Sequence, residues 1–321
     1  MSFPSPSRIL VTGANGFVGR HLVAALAERG KNCEIIAGTH NSKLLQQASN
    51  VRCVQFDVSD NAQVRSVIAD EQPTHLFHLA GIAAPLEAEQ DTRKTWDINV
   101  FGTLNVALAL TETAKQCRFV LCSSAEVYGE SFRSAQPLTE EAAFNPTNVY
   151  GASKAAADLM VGQMAKRGLR AIRLRPFNHT GPGQSDRFVA PAFASQIAAI
   201  ERGEQEPIIK VGPLTSYRDF LDVRDVVDAY VRTIVHFDNL PNGCALNIAT
   251  GSPVQISEIL NILLALSSKK IEIAEDTSRA PKSGISRVSG NADSIKRLLG
   301  WVPSIDIHST LASVLNFWRQ V

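Results

Sequence analysis

The sequence carries no surplus of charge. Thirty-two Lys and Arg stand against 31 Asp and Glu, a net +1 over 321 residues. That balance leaves no electrostatic footprint for DNA, RNA or an anionic membrane surface, and no nucleic-acid partner is expected. Cysteine is sparse and scattered: Cys33, Cys53, Cys117, Cys122 and Cys244 form no CxxC pair and mostly sit inside apolar runs. Buried, reduced thiols are expected rather than a disulfide framework or a zinc site. His75 and His78 share a predicted strand with no acidic or cysteine partner close by, so no metal centre is expected. No apolar run approaches the roughly 20 residues that span a bilayer. The stretch "MSFPSPSRILVTG" also lacks a basic segment followed by an apolar one. The expectation is a cytoplasmic protein without a membrane partner. No internal repeat or low-complexity segment stands out. A chain that is 45% hydrophobic and 20% charged has room for one large domain or two lobes sharing an interface.

What is present is an alternation. "RILVTG", "CEIIAG", "VRCVQFDV", "THLFHLAG", "RFVLCSSA" and "LRAIRLRP" read as short buried strands. Helical patterns lie between most of them, among them "FVGRHLVAALAERG", ended by glycine, and "TWDINVFGTLNVALALTETA". Strand and helix in alternation imply right-handed crossovers and an α/β, Rossmann-type doubly wound parallel sheet covered on both faces. After about residue 178 glycine and proline become denser, in "TGPGQ", "VGP", "LPNG" and "SRAPKSG", and the alternation lapses. The expected organisation is a nucleotide-binding domain over 1–178 and a smaller α/β substrate-binding lobe over 179–321. The boundary is soft, and segments of the second part can return to the first.

"VTGANGFVGR" places Gly13, Gly16 and Gly19 between the first strand and the first helix. Glycines there permit a tight turn, close backbone approach to a pyrophosphate, and close packing of helix on strand. The helix N-terminus adds unpaired N–H groups and a positive dipole end. Three glycines alone can be a loop; the strand–turn–helix context favours dinucleotide binding. A site preferring NAD carries an acid at the end of the second strand for the ribose 2′-OH. Here Ala37, Gly38 and Thr39 occupy that place, with His40 and Lys43 following. No carboxylate repels a 2′-phosphate, and Lys43 or Arg20 could approach one. NADP(H) is therefore preferred, with NAD(H) possible. Asp57 ends the third strand either near the adenine or as a helix N-cap or turn residue.

"YGASK" sets Tyr150 and Lys154 four residues apart, on one face of a helix. Alone, such a pair is usually an exposed polar contact. Beside a glycine loop and "SSAEVYG", it reads as a proton donor and its cationic neighbour. A free tyrosine has a pKa near 10. A lysine cation and a nicotinamide charge would both draw it toward the working range. Ser124 would donate a hydrogen bond to the same substrate oxygen.

The order of "TGANGFVG", "HLAG", "NVFGT", "SSAEVYG", "YGASK", "RPFNHTGPG", "RDFLDVRDVVDAY", "NIATG" and "LGWVP" resembles the extended short-chain dehydrogenase/reductases, the NAD-dependent epimerase/dehydratase family, over nearly the whole chain. "RPFNHTGPGQ" followed by "SYRDFLDV" is most similar to GDP-4-keto-6-deoxy-D-mannose reductases and the related GDP-mannose 4,6-dehydratases. The resemblance implies a catalytic set of Ser124, Tyr150 and Lys154, with Tyr150 and Lys154 also meeting the cofactor. It implies a cofactor site of Gly13, Asn15, Gly16, Phe17, Val18, Gly19, Asp57, Val58, Leu79, Ala80 and Gly81. Asn99 would hold the active site in place, and the Pro176–Phe177 backbone would lie near the nicotinamide. Substrate contacts implied are Ser124, Glu126, Asn178, Arg218 and, more loosely, Arg279.

Three residues have competing readings. Glu126 is a base in 4,6-dehydratases; here its neighbour is Ala125 rather than the aspartate of nucleotide-glucose dehydratases, and it reads as an orienting residue or a remnant. Arg218 has a donor fork suited to a diphosphate, against an ion pair with Asp219 or Asp222. His179 either bonds near the nicotinamide or fills a polar corner of the core. The implied activity is reduction of GDP-4-keto-6-deoxy-D-mannose to GDP-D-rhamnose. The alternatives are a nucleotide-sugar 4-epimerase, a GDP-mannose 4,6-dehydratase with tightly bound NAD(P), and a non-enzymatic dinucleotide sensor. Two helices, over 95–114 and 150–168, carry more apolar and small residues than one core face requires, which suggests a homodimer.

Overall fold

The computed structural model describes residues 3, 7–40, 48–276 and 284–321. Its first half alternates as expected: β1 (Ser7–Thr12), α1 (Phe17–Arg29), β2 (Cys33–Thr39), β3 (Val51–Gln55), α2 (Asn61–Glu71) and β4 (His75–His78). Then come α3 (Pro85–Gln90), α4 (Thr92–Trp96), α5 (Thr103–Thr113), β5 (Arg118–Cys122), α6 (Val149–Lys166) and β6 (Ala171–Pro176). The remainder runs β7 (Asn178–Thr180), α7 (Val189–Arg202), β8 (Ile208–Val211), β9 (Tyr217–Arg218), β10 (Phe220–Asp222), α8 (Val223–His236), β11 (Ala245–Ile248), β12 (Val254–Gln255), α9 (Ile256–Ala265), β13 (Glu272–Glu275), α10 (Asp293–Leu299) and α11 (Ile307–Trp318).

Seven strands form one parallel sheet in the order β11-β6-β5-β4-β1-β2-β3. Helices cover both faces, which is why the central strands are apolar without alternation: Ile9, Leu10 and Val11 are all fully buried. On α1 the buried positions Gly19, Leu22, Val23 and Leu26 make the stripe that lies on the sheet. Beyond it the Gly30 amide donates to Leu26 O at the C-cap. At α2 the Asp60 carboxylate accepts from the Ala62 and Gln63 amides.

The strand order reverses at β1, which has β2 on one side and β4 on the other. Ligands of open α/β sheets settle in that crevice, outside the carboxyl ends of the strands. β11 joins the sheet beside β6, and Arg29 of α1 meets Asp228 of α8 at 2.6 Å. Thus part of the chain beyond 178 folds back onto the sheet. The rest has its own core of Phe193, Ile197, Ile259, Leu263, Leu311 and Leu315, with β8 paired to β13.

Two expectations change. The single helix expected over "TWDINVFGTLNVALALTETA" contains a π turn at Asp97–Gly102, between α4 and α5. The extra residue in that turn places Asn99 against the loop after β4. All five cysteines are free, but only Cys33, Cys117 and Cys122 are buried; Cys244 is half-buried and Cys53 is exposed, on edge strand β3. Among the described residues no His, Cys, Asp and Glu cluster could hold a metal, and no helix is long and apolar enough to cross a membrane.

Candidate active site

Two cavities meet at Gly13 and Gly81, on either side of the switch point. One, of about 610 Å³, runs over Gly38, Thr39, His40, Asp57, Val58 and Ala80. The other, of about 320 Å³, runs over the glycine loop to Ser124, Tyr150 and Lys154. The two share Gly13 and Gly81 and so flank the glycine loop on both sides.

The backbone between β1 and α1 explains two of the glycines. Gly13 has φ +68°, and a Cβ there would stand 2.7 Å from Ala80 N. A Cβ on Gly19 would lie 2.2 Å from Gly13 O. Only bare backbone closes this turn, and it leaves the α1 N-terminus open to phosphates. The donor set and the cradle fit the pyrophosphate of a nicotinamide dinucleotide. Phe17, Val18 and Leu79 line the second cavity with Gly16 and Gly19; Asn15 belongs to the same turn but lines neither.

At the end of β3, Asp57 is a turn residue that also lines the first cavity. Its Oδ1 accepts from the Ser59 amide (2.8 Å) and hydroxyl (2.7 Å), and it also lines the cavity. The helix N-cap is Asp60 instead. His40 Nδ1 lies 3.6 Å from Asp57 Oδ2. Arg20 does not stand ready for a 2′-phosphate: its guanidinium donates to Gly183 O at 3.0 Å. Lys43 and Arg279 lie outside the described residues. Arg93 and Lys94 line this cavity as well, from α4. The adjacent cations in "TRKTW" were a signal for them, but only the fold brings them to β2's end.

At the other end, α6 starts at Asn148, whose Oδ1 accepts from the Gly151 amide at 2.7 Å. That cap aims Tyr150 and Lys154 into the cavity, where Ser124 meets them from the end of β5. The Ser124 hydroxyl accepts from the Glu126 amide at 3.2 Å and hydrogen-bonds the Tyr150 phenol. The Lys154 ammonium donates to Cys122 O, and burial pushes its pKa below the usual lysine value. The direction at Tyr150 departs from expectation. Burial pushes the phenol up to about 12, with Ser124 pulling against it and Glu126 adding to the rise. The lysine lies on the same helix face, but the desolvated wall around the phenol dominates.

Asn99 is buried in the π turn and lines neither cavity. Its Oδ1 accepts from the Ile82 amide at 2.8 Å, and its Nδ2 donates to Ile82 O (3.1 Å) and Ser153 Oγ (2.9 Å). Ser153 Oγ donates to Tyr150 O at 2.8 Å, so one side chain clips the loop after β4 to the first turn of α6. His78, read only as a poor metal ligand, belongs to the same frame. It bonds Thr12 Oγ1 (2.8 Å) and Thr103 Oγ1 (3.1 Å), and Thr103 donates to Asn99 O (2.7 Å). Burial pushes His78 down to about 3, so it is a neutral strut.

The residues expected to meet the substrate are divided. Glu126 and Asn178 line the second cavity, as do Pro176 and Phe177, and Glu126 Oε2 accepts from Asn148 Nδ2 at 3.1 Å. Arg218 lines neither cavity. Its guanidinium donates to Tyr217 O (2.8 Å) and Ile285 O (3.1 Å), and burial lowers its pKa while the Glu126 charge opposes the fall. Neither competing ion pair forms: Asp219 accepts from Thr250, Gly251 and Gly290, and Asp222 pairs with Arg224. His179 is no mere core filler. It lines the cavity beside Asn178, as do Gln184, Phe188 and Tyr230, which sequence reasoning did not single out.

Residues 9–249 match the family described as the NAD dependent epimerase/dehydratase family. The GDP-6-deoxy-D-mannose reductase of Pseudomonas aeruginosa is 35% identical over 98% of this chain and 97% of its own length. The solved structure of RMD from Pseudomonas aeruginosa complexed with NADPH covers 98% of this chain and 99% of its own, at 32% identity and a TM-score of 0.84. MoeE5 in complex with UDP-glucuronic acid and NAD is similar at 26% identity and a TM-score of 0.83, over 98% of this chain and 99% of that one.

Proposed function

The chain belongs to the NAD dependent epimerase/dehydratase family, and within it we propose an NADPH-dependent reductase of a nucleotide-diphosphate 4-keto-6-deoxy sugar, converting GDP-4-keto-6-deoxy-D-mannose to GDP-D-rhamnose. The observation that carries this reading is full-length similarity to a GDP-6-deoxy-D-mannose reductase, together with Ser124, Tyr150 and Lys154 lining one cavity with the glycine loop. NADPH, when bound, supplies the hydride that reduces C4 and leaves as NADP⁺. Tyr150 gives its proton to O4, so the ketone becomes an alcohol. A phenol held fully protonated suits that direction. Ser124 donates to the same oxygen as negative charge gathers on it. Lys154, anchored on Cys122 O, keeps N–H groups for the nicotinamide ribose.

The preference for NADPH is supported by the missing acid after β2 and by the likeness to a solved structure complexed with NADPH. NAD(H) remains usable by such a site. Asn178, Arg218 and Arg279 are proposed to take the diphosphate, and Glu126, held by Asn148, to orient the sugar. We take 1–178 as the nucleotide-binding domain and 179–321 as mainly the sugar lobe, with α8 and β11 returning to the sheet. A homodimer is part of the proposal. Phe101 (49% exposed) and Leu159 (60% exposed) stand on the helical face that would pair.

The competing reading is a 4-epimerase that keeps NAD and returns its own hydride. Acid-releasing the nucleotide from freshly purified protein separates the two. A reductase yields little bound nucleotide and binds NADPH reversibly; near-stoichiometric NAD would favour the epimerase.

A further inference from the structure

Ser124, Glu126 and Tyr150 line the second cavity, and one side chain that lines neither cavity ties them together. Asn148 uses both ends of its amide. Its Oδ1 accepts from the Gly151 amide at 2.7 Å and caps α6, while its Nδ2 donates to Glu126 Oε2 at 3.1 Å. The Glu126 amide in turn donates to Ser124 Oγ, and that hydroxyl bonds the Tyr150 phenol. Serine, carboxylate, helix cap and phenol thus form a closed circuit.

The circuit is packed as well as bonded. A Cβ on Gly151 would stand 2.7 Å from Glu126 O, so bare backbone lets the first turn of α6 rest on the turn that bears the carboxylate. Glu89 Oε1 accepts from the Val149 amide at 3.1 Å and fastens the same turn from α3.

One atom of the circuit is left over. Glu126 is half-buried and lines the cavity. Asn148 occupies Oε2, while Oε1 accepts no hydrogen bond among the described residues and keeps accessible surface. A carboxylate oxygen only accepts, so it needs a donor on the ligand. The chemistry of the sugar narrows the choice. With O4 held by Ser124 and Tyr150, the neighbouring carbons are C3 and C5. In a 4-keto-6-deoxy hexose C5 bears the ring oxygen and a methyl group, and C3 alone bears a hydroxyl.

We propose that Glu126 selects the sugar by accepting from its C3 hydroxyl, and that Asn148 is the positioning residue that aims this carboxylate while it caps the helix of Tyr150. This contact deepens the reductase reading and rests on it. It gives a role to a glutamate that neither hydride nor proton transfer requires.

Three variants test it, with thermal melting to confirm that each folds. Glu126→Ala removes the acceptor. Asn148→Ser keeps a cap, since serine caps about as well as asparagine, but is too short to reach Glu126. Asn148→Asp keeps the cap and replaces the donor by an acceptor. Calorimetry measures binding of GDP-D-rhamnose and its 3-deoxy analogue to the NADP⁺-loaded protein. Wild type should favour the hydroxylated sugar by roughly ten- to a hundredfold, the range of a hydrogen bond to a charged group. Glu126→Ala should abolish that preference, and both Asn148 variants should reduce it. In the Glu126→Ala background, Asn148→Ser should change it no further. The reductase reading fails on a separate measure, NADPH consumption with the keto sugar. A wild type that reduces the keto sugar yet is indifferent to the 3-hydroxyl would overturn the proposal. So would a preference that survives Glu126→Ala, or losses from Asn148→Ser and Glu126→Ala that simply add, since independent losses mark a weakened cap rather than a positioned carboxylate.

Discussion

In the proposed role of proton donor, Tyr150 is governed by its environment more than by its neighbour. Burial holds its phenol near 12, so at neutral pH the acid form prevails and the reduction direction finds its proton in place. The sign follows: proton donation is available below that value and fails as pH rises through it. Bound cofactor adds charge and lowers the limit. The kcat for ketone reduction should stay level through neutral pH and fall only on the alkaline side, while alcohol oxidation, which needs the phenolate, should climb with pH. A pH–rate profile in both directions checks this. Tyr150→Phe should lower kcat roughly 10²–10⁴-fold and leave the NADPH Kd unchanged. The i, i+4 spacing of "YGASK" was enough to put both groups on one face. The direction of the pKa shift was not legible, because it depends on the wall that Cys122 and Glu126, from one part of the chain, build with Tyr230 from another. The burial of Gln184 in the cavity wall was not legible for the same reason.

Among the elements, the β1–α1 turn was the most readable, since its chemistry is local. Gly19→Ala would drive a methyl to 2.2 Å from Gly13 O, and the backbone, not a flexible side chain, would have to give. We expect NADPH binding to be lost or weakened at least a hundredfold while the sheet persists, measured by fluorescence titration and circular dichroism. The π turn at Asp97–Gly102 was not readable, because apolar periodicity over "TWDINVFGTLNV" looks the same whether or not one residue is inserted. Asn99's bonds to Ile82 and Ser153 reward that insertion.

In the second lobe, α11 is tied to α7 through Arg319 and Glu201, at 2.7 and 2.8 Å. The guanidinium holds the Glu201 carboxyl at about 2, below the usual 4.5. A depressed carboxylate contributes stability above its unfolded value, and that contribution disappears as pH falls from about 4.5 through about 2. Glu201→Gln should therefore melt lower at neutral pH, by the equivalent of about 1 kcal/mol after screening, and lose less on acidification. Melting curves across that range would show whether the two profiles converge.

For the molecule as a whole, the sheet topology could be read from alternation through β6. The place of β11 beside β6 could not, because a four-residue strand starting 69 positions beyond β6's end has no local signature of its partner. Exposed Phe101, Leu108 and Leu159 lie on helices that carry no core function on that side. Light scattering should give twice the chain mass, and Leu159→Glu combined with Phe101→Glu should halve it.

The central claim is that hydride passes from NADPH to the C4 carbon of a GDP-4-keto-6-deoxy sugar while Tyr150 supplies the proton. Deuterium-labelled NADPH, turned over with GDP-4-keto-6-deoxy-D-mannose and followed by NMR, tests it directly. The account predicts one deuterium at C4 of GDP-D-rhamnose for each NADPH consumed, formed roughly 10²–10⁴-fold more slowly with Tyr150→Phe. Unlabelled product formed without NADPH consumption would contradict it.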